Sequence, residues 1–182
     1  MERAAKIKAR LDENQLLFRS RFREKKCMLT SLLIGTHALL GEVGVFSYFW
    51  VFVEIIDPTP QRILRAKAAA VVGLFFTVFS WITGGYHYLN AYQTSIKPAI
   101  KHGPMPWAHG VFMETKEHLF LYLPFLMSLC LVFLTRFSSD SREERKAVLT
   151  LSGLIVLLGL AMAGMGYMIS SGYRMALTGG HP

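Results

Sequence analysis

The sequence predicts an all-α polytopic membrane protein, an up-down bundle of four transmembrane helices preceded by an amphipathic N-terminal helix. Of its 182 residues, 52% are hydrophobic and the mean hydropathy is +0.35, which is high for a soluble domain. Four apolar segments are long enough to cross a bilayer and lack the polar faces that helices of a soluble bundle need. The predicted spans cover about residues 28–56, 68–92, 107–135 and 148–173.

Residues 1–27 form the predicted basic N-terminal helix, which precedes a transmembrane domain of residues 28–182. Apolar side chains recur on one side of this helix and basic residues occupy much of the rest. The pattern favours either an interfacial helix that docks a partner or a solvated extension of span one. The apolar positions are Ile7, Leu11, Phe18 and Phe22.

Short connections between the spans predict antiparallel neighbours. "DPTPQR" (57–62) is a turn into span two, because its prolines break a helix. "SSDSREERK" (138–146) is a second turn, and it is suited to capping span four. Span three is expected to start near Pro106, with Trp107 at the membrane interface.

The distribution of lysine and arginine predicts that both termini are cytoplasmic. The N-terminal region, the connection between spans two and three and the C-terminus hold 13 of the 20 basic residues, and the opposite connections hold seven. The positive-inside rule then places both termini in the cytoplasm, and the expected location is the cytoplasmic (inner) membrane. The net charge of +8 also favours anionic lipids. No basic and aromatic nucleic-acid motif is present, so nucleic acid is not an expected partner.

Three histidines are predicted to converge in the inner half of the bilayer. His37 lies in span one, His87 near the inner end of span two, and His118 near the inner end of span three. Ionisable residues within a membrane are rare and mark candidate functional sites. Glycines follow His37 and precede His87 on their helix faces, which predicts either room for a flat ligand or close helix packing.

Carboxylates and a tyrosine accompany this predicted cluster. Glu114 and Tyr122 share the helix face of His118, whereas Glu117 points about 60° away from Glu114. His109 lies on another side of the same helix, and it is a secondary candidate.

Bis-histidine ligation of one haem b is the leading interpretation of this pattern. His37 would pair with His87 or His118 as axial ligands, and the third histidine, with Glu114, would support them. The alternative is a non-haem iron or zinc site built from His37, His87, His118 and Glu114. Neither pattern is a specific metal signature.

Glu42 is predicted near the middle of span one, away from the face of His37. A carboxyl group at that depth is either a member of a proton relay, as quinone chemistry requires, or a hydrogen-bond partner of another helix.

In layout the chain is similar to small four-helix membrane b-type cytochromes, with histidines confined to the inner half of the bundle. The similarity implies an electron-transfer subunit, without independent catalysis, that exchanges electrons with quinone or with a partner subunit. The competing hypothesis is a non-catalytic assembly or scaffold subunit of a larger complex or homo-oligomer, in which the histidines only bond between helices.

Overall fold

The computed structural model describes residues 2–138 and 141–179, and of α1 it describes side chains only from Gln15, with several exceptions before Met28. All regular structure in these residues is helical. Two π-helical stretches, the first and second π segments, flank α3. The elements are α1 (Glu2–Ile56), α2 (Pro60–His87), the first π segment (Tyr88–Ile96), α3 (Lys97–His102), the second π segment (Ala108–Met113), α4 (Glu114–Thr135) and α5 (Arg142–Leu177).

Four helical stretches of the described residues are long and apolar enough to cross a membrane. They are Met28–Ile56, Pro60–His102, Ala108–Thr135 and Arg142–Leu177. Large apolar side chains are exposed on the outside of every one of them, as a surface in contact with lipid tails requires. The chain is therefore a multi-pass α-helical membrane protein, and the predicted four-helix bundle is confirmed.

The bundle closes as a ring of antiparallel neighbours. α1 packs against α2 and α5, and α4 packs against the same two helices from the other side. The connections are shorter than the predicted turns at 57–62 and 138–146, because α2 begins at Pro60 and α5 at Arg142. The Thr59 side chain accepts from the Arg62 N–H at 3.4 Å, and the Ser141 side chain, in the segment expected to cap span four, accepts from the Glu144 N–H at 3.3 Å. These caps satisfy N–H groups that the first turn of a helix leaves free.

The helices extend beyond the predicted spans. Span two, predicted at about 68–92, is helical from Pro60 to His102, and span four from Arg142 to Leu177. The reason is that hydropathy detects only the part inside hydrocarbon, whereas helices continue into the interface. α1 likewise runs without a break past residue 27. The predicted apolar face at Ile7, Leu11 and Phe22 lies outside the described side chains.

Two buried apolar clusters fill the bundle. The larger lies toward the turn at 57–59 and the C-terminal end of α4, and it includes Tyr48, Met127 and Ile155. The smaller includes Tyr92, Ile100 and Ile169, at the opposite end, which we call the π end because it holds both π segments. A polar layer separates the two clusters, and it positions the candidate site.

Candidate functional site

His37 is held against α2 by a reciprocal set of hydrogen bonds. Its Nδ1 lies 2.8 Å from the Ser80 carbonyl oxygen and 3.0 Å from Ser80 Oγ, which in turn donates to the His37 carbonyl at 2.8 Å. Because a carbonyl only accepts, the shortest contact favours the tautomer with the proton on Nδ1. Phe120 of α4 packs edge-on against the ring at 5.7 Å. The imidazole is therefore fixed in position, with the lone pair of Nε2 left for another partner.

The glycines between α1 and α2 do not leave the gap that a flat ligand needs. A Cβ atom at Gly84 would lie 2.6 Å from Nδ1 of His37, and one at Gly73 would lie 2.8 Å from the Tyr48 ring. At Gly44 it would overlap the Thr77 hydroxyl. Side chains of the protein itself fill these spaces. On this face the glycines therefore allow close packing of α1 and α2 and leave no room for a flat ligand.

His87 is buried in the same layer without a hydrogen bond. The side chain is 7% exposed, and neither ring nitrogen has a partner among the described residues. His87 falls on the buried face of α2 together with Gly73 and Ser80, as predicted. A buried imidazole with two unsatisfied nitrogens is unusual, because buried polar atoms are nearly always paired.

Lys116 is the third basic residue of this layer, and sequence reasoning missed it. It is an electrostatic neighbour of both His37 and His87, and its Nζ approaches α5 so closely that a Cβ at Gly166 would lie 3.2 Å away. We refer to His37, Ser80, Gly84, His87 and Lys116 as the histidine layer. Within the described part of the chain, Lys116 has no ion-pair partner.

His118 lies outside the histidine layer, so the predicted convergence of three histidines is wrong. It is exposed, and its Nδ1 lies 2.6 Å from the carbonyl of Glu114 on the same helix. Glu114 and Tyr122 share that outward face, with Tyr122 65% exposed. The physical reason is that α4 turns the opposite face, with Lys116 and Phe120, into the bundle. Among the described residues, no group of three or more ligand side chains gathers around a metal-sized space, and the predicted set of His37, His87, His118 and Glu114 is not brought together.

His109, a secondary candidate in the sequence, is buried at the π end. It is 3% exposed, its Nδ1 lies 3.0 Å from the Tyr92 hydroxyl, and its Nε2 lies 3.9 Å from a carboxylate oxygen of Glu114. Tyr88 stacks on Tyr92 with 5.4 Å between ring centroids and is an electrostatic neighbour of Glu117. Among the described residues, no hydrogen-bond partner reaches the buried oxygen Oε1 of Glu117.

Glu42 lies on the outside of the bundle. It is the middle residue of the 29-residue span Met28–Ile56, it is exposed, and it forms no hydrogen bond or ion pair with the described residues. Phe46, one turn further along the same face, is 67% exposed. Glu42 therefore forms no hydrogen bond or ion pair with the described residues of the histidine layer or of another helix.

The arrangement combines the buried imidazole of His87, which has no hydrogen-bond partner among the described residues, with the half-buried imidazole of His37 and the half-buried ammonium group of Lys116. A separate network of phenols, an imidazole and carboxylates lies at the π end. Neutral imidazoles are ligands for iron, and the network contains groups that can both accept and donate a proton. No protein-family model, curated protein or solved structure matches the chain. The fold and this site define the class of the protein, a multi-pass membrane protein with a buried basic and aromatic site, and the function is argued from the site itself.

Proposed function

We propose that the chain is a b-type cytochrome-like membrane subunit that carries electrons through one haem in the half of the bundle that contains the histidine layer. By the positive-inside rule this half faces the cytoplasm, and both termini lie in the cytoplasm. The observation that carries the proposal is the unsatisfied, buried imidazole of His87 next to the fixed imidazole of His37. A quinone or a partner subunit would exchange electrons with the site.

The environment of His37 supports a ligand role. Histidines that bind metals usually donate the other ring nitrogen to a carbonyl or carboxylate, which fixes the tautomer and the ring orientation. The contact from His37 Nδ1 to the Ser80 carbonyl has this form. Nε2 would then be the ligating atom.

The ring of a haem does not fit the face of His37 that packs on Gly84, because the imidazole already fills that space. Binding would instead require Phe120 and Lys116 to move, since these two side chains border the imidazoles from α4. A flexible lysine moves at little cost, and its charge could pair with a haem propionate. Lys97 and Lys101 of α3 are further cations near the π end.

A non-catalytic assembly subunit is the second candidate, and two observations favour it. The chain's own side chains fill the spaces at Gly44, Gly73 and Gly84, as a purely structural interface would. Glu42 is exposed in the middle of the membrane without a partner among the described residues, which suits a helix that meets another protein or a second copy.

The test is a spectrum of the full chain purified from its native membrane in mild detergent, with bound metals measured on the same sample. We expect b-type bands in the reduced-minus-oxidised spectrum that are lost in His37→Ala and in His87→Ala. His118→Ala is the matched control, because His118 faces outward and should leave the bands unchanged. A featureless spectrum together with stoichiometric iron or zinc would contradict haem binding and support a non-haem metal site. If the sample shows neither b-type bands nor bound metal, both cofactor hypotheses fail and the assembly role remains.

A further inference from the structure

Two polar side chains of α4 face the outside of the bundle from within the membrane. Tyr122 lies close to the middle of the 28-residue span Ala108–Thr135, and its side chain is 65% exposed. His118, one helical turn earlier, is exposed on the same face. Large apolar side chains continue this face toward the far end of the span, at Phe125, Leu129 and Val132. A phenol and an imidazole therefore interrupt a surface that otherwise suits lipid tails.

The depth of Tyr122 leaves its hydroxyl group without a partner in lipid. Tyrosines are favoured at the two membrane interfaces, where the hydroxyl meets water and headgroups, and the middle of a span lies far from both. Among the described residues, no group forms a hydrogen bond with the Tyr122 hydroxyl. Because an unbonded polar group in hydrocarbon is costly, this position favours a partner that brings an acceptor to the same depth.

The imidazole of His118 is such an acceptor. Its Nδ1 lies 2.6 Å from the carbonyl oxygen of Glu114, and because a carbonyl only accepts, this contact favours the tautomer with the proton on Nδ1. Nε2 then keeps a free lone pair. The carboxylate of Glu114 is directed to its own bundle, with one oxygen 3.9 Å from Nε2 of the buried His109. The face therefore presents one donor and one acceptor, four residues apart, which do not bond to each other within the chain.

A second copy of the chain offers the complement of this face. Two copies of a membrane protein insert in the same direction, so the two-fold axis of a dimer runs along the membrane normal and the two α4 helices pair in parallel. Across a two-fold axis, a contact from residue i to residue j is always made twice. Helical side chains lean toward the N-terminus of their helix, so Tyr122 reaches toward the level of His118, about 6 Å away along the axis. Packed helices lie about 8–10 Å apart, which the two long side chains can span.

We propose that two copies of the chain associate through the outward faces of α4, and that the Tyr122 hydroxyl of each copy donates to Nε2 of His118 in the other. The two symmetric bonds provide both hydroxyl groups and both imidazoles with partners. Phe125 and Leu129 of the two copies pack against each other further along the same face. The proposal does not rest on haem binding, because the histidine layer lies inside each bundle and is untouched by this contact.

Energy transfer between donor-labelled and acceptor-labelled full chains in phosphatidylcholine vesicles measures the association. The wild type should show transfer that rises with the ratio of protein to lipid. Tyr122→Phe removes only the two hydroxyl groups and should weaken the association about tenfold, as expected for two interhelical bonds in a membrane. Tyr167→Phe is the matched control, because Tyr167 is 66% exposed on α5. A wild type without energy transfer overturns the proposal, as does a Tyr122→Phe variant that associates like the wild type.

A double-mutant cycle tests whether the two side chains bond to each other. His118→Phe removes the acceptor and should weaken the association about as much as Tyr122→Phe does. The double variant should be no weaker than either single variant, because each change already removes the same contact. Effects that add would show that the phenol and the imidazole contact different groups, and the proposed pairing would be wrong.

Cysteine cross-linking in the native membrane locates the interface. Oxidation should convert Phe125→Cys into a disulfide-linked dimer, since Phe125 follows Tyr122 by one turn and is 74% exposed. Leu157→Cys, at a position that is 67% exposed on α5, is the control and should stay a monomer. The native cysteines are the same in both variants. A Phe125→Cys chain that links to a different protein, or a Leu157→Cys chain that links to itself as readily, overturns the proposal.

Discussion

Replacing Gly84 by alanine should weaken the contact between α1 and α2 at the histidine layer. The new Cβ would lie 2.6 Å from Nδ1 and 2.7 Å from Cε1 of His37, well inside the 3.4 Å at which ordinary contacts begin. The imidazole cannot yield freely, because hydrogen bonds to Ser80 hold one edge and Phe120 packs against the ring. Gly84→Ala must therefore displace the ring or separate the helices.

The magnitude follows from these contacts. Overpacking of a filled site costs about 1–3 kcal/mol, and loss of the bond to Ser80 adds about 1 kcal/mol. Against this, alanine is favoured over glycine in a helix by about 0.5–1 kcal/mol. The net loss in the free energy of unfolding is about 1–3 kcal/mol, which lowers the Tm of a chain of this size by about 2–4 °C per kcal/mol.

The neighbouring glycine supplies a matched control. A Cβ at Gly85 meets no atom within 4 Å, so Gly85→Ala gains only the helix preference of alanine. Thermal unfolding of both variants and the wild type in the same mild detergent gives the comparison. We expect Gly84→Ala to unfold below the wild type and Gly85→Ala at or above it. Equal midpoints for the two variants would refute the close packing of His37 on Gly84.

Three further substitutions test the rest of the bundle by the same unfolding measurement. Tyr48→Phe removes a buried 2.7 Å hydrogen bond to the Met127 carbonyl and should cost about 1 kcal/mol, and an unchanged Tm would show that this bond contributes nothing. Glu54→Gln should lower the Tm, whereas the exposed Glu143→Gln should not, because the 5%-exposed Glu54 carboxylate accepts bonds from a tryptophan and two arginines. Glu42→Leu should leave the Tm equal or raise it, since leucine is favoured in lipid. A lower Tm would mean that the carboxyl group contacts another subunit.

The sequence was sufficient for the number of spans and their order because both follow from long apolar runs and short turns. It could not predict where each helix ends, since Pro60 and His102 lie in interfacial sequence that hydropathy does not distinguish from loop. Proline occurs both in turns and in the first turn of a helix, so Pro60 did not distinguish a turn from a helix start. The ends were fixed by local capping, as at Thr59 and Ser141.

The histidines of span three show a different limit, which concerns rotation about the helix axis. Glu114, His118 and Tyr122 share one face of α4 in the structure, as the sequence predicted, but that face points outward. In a soluble helix the apolar side identifies the interior, whereas a membrane helix is apolar on every side and its periodicity leaves the rotation undetermined. The assumption that the ionisable residues face inward was therefore the source of the error.

A usable signal for the rotation was nevertheless present further along the same helix. Leu123, Met127, Cys130 and Leu134 are buried and recur at alternating intervals of four and three residues. Extending that spacing backwards reaches Phe120, Lys116 and then, seven residues earlier, His109, all of which face the bundle. The stripe contains a methionine and a cysteine within an otherwise leucine- and phenylalanine-rich span, and smaller or more polarisable side chains are typical of helix contacts in membranes. Choosing the interior by that stripe selects Lys116 and His109 in place of His118, and Lys116 is the residue of α4 that borders the two imidazoles of the histidine layer.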